Sequence, residues 1–396
     1  MLNISKFIGF IFLLIGCISG NNEVNSDPQY DDGKLYTGAE LTGAYIELLD
    51  GKNVGVVVNQ TSVIGTTHLV DSLISAGHNL VKIFSPEHGF RGEADAGEKV
   101  VDGIDSKSKL PIISLYGKNK KPTTAQLEGI DVLVFDIQDV GVRFYTYIST
   151  LHYVMEAAAE NDIPLIVLDR PNPNIHYVDG PVLDLKFQSF VGMHQVPVVY
   201  GMTIGEYAQM INGEMWMKDN VQCELTIVPC RNYERGFRYT LPVKPSPNLP
   251  NSISILHYPS LCFFEGTTLS IGRGTEFPFQ VIGHPELSGP FKFTPVSTSG
   301  AKYPKHENET CLGLDLRKVL PTKDRLDISY LLQFYKEAEK KGVPFFNDNN
   351  FFDLLAGTDE LKNMIIEGAS LKEIRASWQN DLEDFKKIRG RYLIYE

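Results

Sequence analysis

Short apolar runs rich in β-branched residues recur up to about residue 232, and stretches with helical spacing separate them. Asn53 to Val58, Leu80 to Phe84, Pro111 to Ser114, Ile130 to Ile137, Ile163 to Leu168 and Glu224 to Val228 predict strands. Thr67 to Ala76 and Thr146 to Glu160 predict helices, and the capping box Thr203-Ile204-Gly205-Glu206 opens a third that ends near Asn212. The strand runs are nearly continuous, not alternating, as in sheets buried on both faces. They predict an α/β domain over residues 36–232, a mostly parallel sheet with helices on both faces. Beyond it the pattern loosens. Pro242, Pro245, Pro247 and Pro250 precede an aromatic stretch, and helical spacing returns near 328–341 and 371–388. Residues 233–396 are expected to form a smaller α+β domain that closes a cleft.

The N-terminus follows a different pattern. Lys6 precedes the apolar run Phe7 to Ile15, which is too short to span a bilayer and fits an export signal over residues 1–16. Cys17 directly follows Leu14-Ile15-Gly16, which resembles a bacterial lipobox. That likeness makes Cys17 the lipidated first residue of the mature protein, anchored in the bilayer by its acyl chains. The polar residues up to 35 then serve as a flexible tether. A plain signal peptide is the alternative. Exported, lipid-anchored to a bacterial membrane and facing the periplasm is the expected location.

Composition narrows the partners. A formal net charge of −12 over 396 residues disfavours nucleic acid, whose phosphates require a cationic footprint. Cys223, Cys230, Cys262 and Cys311 match no zinc spacing. Cys223 and Cys230 flank one predicted strand, which holds them too far apart to bridge, so buried free thiols are expected.

Ligands of open parallel sheets bind beyond the carboxyl ends of the strands. Those ends here carry Asn59-Gln60-Thr61-Ser62, Pro86-Glu87-His88-Gly89-Phe90-Arg91, Asp136-Ile137-Gln138-Asp139-Val140-Gly141-Val142-Arg143 and Asp169-Arg170-Pro171-Asn172-Pro173-Asn174. Glu87 is the leading catalytic candidate, a carboxyl able to donate a proton to a leaving oxygen; the plain alternative is an ion pair with Arg91. Asp136 and Asp139 are candidates for the second carboxylate of glycoside hydrolysis, or they satisfy backbone donors at the strand end. Arg143, next to Tyr145, suits a carboxylate-bearing sugar, as does Arg170; either could instead pair with Asp136 or Asp139. His88, Arg91, Asn172, Asn248, Glu265 and Arg273 complete the candidate substrate contacts. No Gly-x-Gly-x-x-Gly, P-loop or Gly-x-Ser-x-Gly elbow is present, and no histidines stand at helical metal-ligand spacing. Neither a cofactor nor a metal is expected.

Five ordered motifs carry a resemblance. They are Ser85-Pro86-Glu87-His88-Gly89-Phe90-Arg91-Gly92, the run Asp136 to Tyr147, Asp169 to Asn174, Pro245 to Pro250 and Phe264-Glu265-Gly266-Thr267. Together they are similar to the exo-β-N-acetylmuramidases, glycoside hydrolase family 171, formerly domain of unknown function 1343. The resemblance runs from about residue 40 to the C-terminus. It implies a Rossmann-like domain, an auxiliary domain and a cleft between them. It also implies release of N-acetylmuramic acid from the non-reducing end of peptidoglycan-derived glycans, with Glu87 as the catalytic glutamate. Arg143 is then expected near the lactyl carboxylate. Two other readings compete. One is a lipid-anchored glycan-binding protein; the other is a metal-dependent amidase using His88, Asp136 and His194.

Overall fold

A computed structural model describes residues 32–87, 89–90, 103–322 and 324–396. The predicted export signal, Cys17, most of the tether, His88 and Arg91 lie outside the described residues. Seven strands form the main sheet: β1 Asn53–Val58, β2 Asn79–Ser85, β3 Gly103–Ile104, β4 Pro111–Ser114, β5 Val132–Asp136, β6 Leu165–Leu168 and β7 Leu225–Val228. Their order is β7-β6-β5-β1-β2-β4-β3, and every pairing except β3 with β4 is parallel.

The alternation of side chains along each strand supplies two cores. Val57, Leu133, Phe135, Leu165 and Val167 pack on one face with the helix Tyr147–Glu160, whereas Val56, Val58, Val132, Val134 and Ile166 pack on the other with Leu69, Val70 and Leu73. Both faces are therefore apolar, which accounts for the uninterrupted hydrophobic runs. From β1 the chain first builds outward through β2 and β4, then returns to lay β5, β6 and β7 on the other side. The order reverses between β1 and β5, and the ends of these strands point towards the usual ligand crevice.

The C-terminal part carries a three-stranded antiparallel sheet, β8 Val281–His284, β9 Phe291–Phe293 and β10 Cys311–Asp315, in the order β8-β10-β9. The first core continues into it through Phe263, Phe264, Phe352 and Phe385. The expected single helix over 371–388 is two, Leu371–Ser377 and Gln379–Arg389. Trp378 interrupts them because its buried indole donates to Asp179 Oδ1 at 3.1 Å. The helix Ser252–Leu261 escapes sequence reading because it contains Pro259. Proline cannot donate to the carbonyl four residues back. That carbonyl, on Ile255, accepts instead from Asn174 Nδ2 at 3.4 Å. Cys223, Cys230, Cys262 and Cys311 are free and buried, as expected, with the first two flanking β7. No helix among the described residues is long and apolar enough to cross a membrane.

Candidate active site

A cavity of about 560 Å³ opens between the strand ends and the C-terminal part. Glu87, two residues past β2, lines it together with Tyr145, Thr146 and Tyr147 from the segment after β5. The C-terminal part contributes Asn248, Glu265, Arg273, Tyr303 and Lys305. Five predicted residues thus meet in one place: Glu87, Tyr145, Asn248, Glu265 and Arg273.

Glu87 is half-buried, and its Oε2 accepts from Thr146 Oγ1 at 3.0 Å. The hydroxyl of Tyr147 stands 3.5 Å from the Glu87 carbonyl oxygen. Thr146 immediately precedes the long helix Tyr147–Glu160, so the rigid start of that helix positions the carboxyl. Tyr145 donates to the Pro245 carbonyl at 2.7 Å, tying the strand-end loop to the proline-rich segment. In that segment Asn248 Nδ2 donates to Gly300 O at 2.6 Å.

A charged corner forms another wall. Arg273 Nε donates to Glu265 Oε1 at 2.6 Å. Burial alone would push the Glu265 carboxyl up, but Arg273 and Lys305 outweigh it and hold the group below its ordinary range. Burial opposes the charge on Arg273 as well, and the Glu265 carboxylate more than restores it. Burial lowers Lys305, with partial compensation from Glu265. Lys305 Nζ donates to the carbonyls of Phe264, Glu265 and Leu269 at 2.9, 3.1 and 3.4 Å, and to that of Thr267. Its ammonium is therefore committed to folding the Phe264–Leu269 turn. Arg273 differs: among the described residues its terminal nitrogens make no hydrogen bond, and its side chain is 26% exposed. The cavity thus offers an uncommitted guanidinium fork next to a fixed carboxylate.

Among the described residues, the other predicted ones, Asp136, Asp139, Arg143, Arg170 and Asn172, do not line this cavity. Asp136 is fully buried and takes Arg170 Nε at 2.5 Å and Nη2 at 2.9 Å, so the two neutralise each other beneath the loops. Asp139 is buried, accepts from Gly141 N at 2.8 Å and from the Tyr200 hydroxyl, and burial pushes its carboxyl up to about 6. Arg143 is 0% exposed; it donates to the carbonyls of Pro181, Val196, Leu355 and Ala356 at 2.8, 2.7, 3.0 and 2.5 Å. It clamps the two parts of the chain together and has no face left for a substrate. Asn172 donates to Met202 O at 2.8 Å and accepts from Asn174 N at 2.8 Å. Gly141 lies against it with a φ of +75°, where a Cβ would fall 2.2 Å from the Asn172 amide.

The same economy governs the β1 end. Asn59 Oδ1 accepts from Thr61, Thr61 Oγ1 accepts from Gln138 N at 3.0 Å, and Ser62 Oγ donates to the Asp136 carbonyl. These polar strand ends satisfy loop backbone instead of facing the ligand crevice. His194 of the amidase reading is buried, 2.9 Å from His152 Nδ1 and 3.0 Å from the Tyr207 hydroxyl. No group of three His, Cys, Asp or Glu among the described residues could hold a metal ion. Lys305 and Tyr303 escape sequence reading, since Lys302-Tyr303-Pro304-Lys305 carries no motif.

Residues 54–253 match the family model described as exo-beta-N-acetylmuramidase NamZ, N-terminal, and residues 256–395 match its C-terminal counterpart. The chain belongs to the exo-β-N-acetylmuramidase family. It is 38% identical over 392 residues to the peptidoglycan beta-N-acetylmuramidase NamZ of Bacillus subtilis strain 168, covering 91% of this chain and 92% of the relative. A DUF1343 family protein from Bacteroides fragilis NCTC 9343 superposes with a TM-score of 0.84 at 45% identity, covering 92% of this chain and 99% of its own. A second from the same organism gives 0.77 at 31% identity, covering 91% and 99%. The cavity draws Glu87 from the N-terminal family region and Glu265, Arg273 and Lys305 from the C-terminal one. Neither half encloses it alone.

Proposed function

We propose that this protein is an exo-acting glycoside hydrolase that releases N-acetylmuramic acid from the non-reducing end of peptidoglycan-derived glycans in cell-wall turnover. The observation that carries the reading is that Glu87 and the Arg273 fork line one cavity. Glu87 donates the proton to the leaving glycosidic oxygen, a role that needs a carboxyl within reach of that oxygen and held in place. Thr146 supplies the hold. Arg273 takes the lactyl carboxylate that distinguishes muramic acid from glucosamine, because its planar fork matches a carboxylate and no acceptor among the described residues uses its terminal nitrogens. Glu265 orients it through the bond to Nε. Arg143, whose two terminal nitrogens are engaged by carbonyls, is replaced in this role.

The protein is further proposed to be exported and lipid-anchored through Cys17, on the strength of the Leu14-Ile15-Gly16-Cys17 pattern behind an apolar run. Detergent-phase partitioning of the cell-expressed protein tests this. The full chain should enter the detergent phase and Cys17→Ala should not; equal partitioning would refute the anchor. For the activity, peptide-free peptidoglycan glycans are incubated with purified protein and the products resolved by mass spectrometry. Free N-acetylmuramic acid should appear first. Disaccharides without the monosaccharide would indicate an endo-acting enzyme, and tight binding without products a capture protein.

A further inference from the structure

Tyr303 is the most exposed of the large hydrophobic side chains among the described residues, at 92%, and the only strongly exposed one that lines the catalytic cavity. Single exposed apolar residues are ordinary on a protein surface and need no explanation. This one differs in what holds it. Ahead of it, Thr298 and Ala301 exchange backbone hydrogen bonds at 3.0 and 3.2 Å, Ala301 is buried, and the Gly300 carbonyl accepts from Asn248 Nδ2. Behind it, Pro304 packs against Gly274 so closely that a Cβ there would fall 2.8 Å from Pro304 Cγ. Lys305 is then fixed by its carbonyl contacts in the Phe264–Leu269 turn. The backbone on both sides is anchored while the ring stands in water at the rim.

An aromatic ring held on an anchored loop at a cavity mouth is a preorganised contact surface, with only two side-chain torsions left to order. Its position selects the ligand. An exo-acting enzyme encloses the terminal sugar and must let the rest of the glycan pass through the mouth. A ring exposed to this degree lies outside the enclosed volume, where the next sugar emerges. Pyranose rings present an apolar face of C–H groups that suits an aromatic face, while their equatorial hydroxyls stay in water. We infer that Tyr303 is the platform for the sugar on the leaving-group side of the scissile bond. This rests on the exo-muramidase reading above and adds a second subsite to it. Tyr303 is a specificity-determining contact; it does no proton chemistry.

The test uses the full chain with Tyr303→Ala and Tyr303→Phe. Cleavage of the disaccharide N-acetylmuramic acid β-linked to N-acetylglucosamine is measured, with inhibition by free N-acetylmuramic acid alongside. Tyr303→Ala should lower kcat/KM about tenfold, mainly through KM, as expected for loss of one aromatic contact. Tyr303→Phe should stay within about twofold, and neither variant should change the Tm or the affinity for the free monosaccharide. Disaccharide affinity is also measured calorimetrically in Glu87→Gln, with and without Tyr303→Ala, so that the platform is tested even if the wild type cleaves nothing. Unchanged disaccharide binding on removing the ring, or an equal loss for the monosaccharide, would overturn the inference. Absence of cleavage with the binding difference intact would overturn the assigned reaction and leave the platform standing.

Discussion

Replacing Arg143 by methionine separates a substrate-binding arginine from a structural one. The guanidinium is fully buried and donates to four carbonyls, two of which, Leu355 and Ala356, end the helix Phe351–Ala356 and have no partner within it. Burial draws the group down to about 9, so it is still a cation at neutral pH. Methionine fills similar space but donates nothing. The Val196 carbonyl keeps its bond from Leu183 N at 3.2 Å, and the other three carbonyls lose a charged donor in a site closed to water. At somewhat over 1 kcal/mol for each group left short, the loss comes to about 4 kcal/mol. That is a large part of a typical stability of roughly 5–15 kcal/mol and, in a chain of this length, corresponds to a Tm lower by about 5 °C. Arg143→Lys should recover only part of it, because one ammonium cannot reach carbonyls on both sides. Circular-dichroism melting gives the stability, and KM at a temperature where the variants are folded gives the binding. A Tm within about 2 °C of the wild type with a tenfold higher KM would refute the structural assignment and restore Arg143 to the substrate.

Arg273→Met should raise KM for muramic-acid-terminated glycans about 10–100-fold and erase the preference over glucosamine-terminated ones, since a charge-assisted pair contributes about 1.5–3 kcal/mol; retained preference would move the carboxylate contact elsewhere. Burial raises the folded-state carboxyl of Asp139 to about 6 from the ordinary 3.8. Between about pH 4 and 6 the folded protein then keeps a proton that the unfolded chain has released, so this group makes stability fall as pH rises. Asp139→Asn should remove that component, seen in urea midpoints across the range, while kcat/KM stays within about threefold; a large loss of activity would return Asp139 to catalysis. Dialysis against a chelator should leave glycan cleavage unchanged, and loss restored by added zinc would favour the amidase reading.

The strands were legible because both faces of the sheet are apolar, so burial is written directly into runs such as Asn53 to Val58. The helix over Tyr147–Glu160 was legible for the same reason. The cavity was partly legible. Glu87, Tyr145, Asn248 and Glu265 sit in the ordered motifs that resemble the family, and the structure brings them together with Arg273. Asp136, Arg143, Arg170 and Asn172 were ambiguous for a physical reason. A loop that must satisfy its own buried backbone needs the same charged and amide side chains as a loop that binds substrate. Composition cannot distinguish the two uses; the donor and acceptor partners can. Lys305 was invisible because its partners lie in a turn about forty residues earlier, and nothing local marks it. Pro259 argued against a helix that Asn174, 81 residues away by its bond to Ile255, completes.

The central claim is that Glu87 donates the proton that breaks the glycosidic bond of a terminal N-acetylmuramic acid. Its most direct test is kcat/KM of Glu87→Gln on the muramic acid–glucosamine disaccharide, with disaccharide affinity measured on the same preparation. Glutamine keeps the size and can still accept from Thr146, but it has no proton to give. Activity should fall about 10²–10⁴-fold with affinity preserved. Cleavage at the wild-type rate by Glu87→Gln would contradict the account.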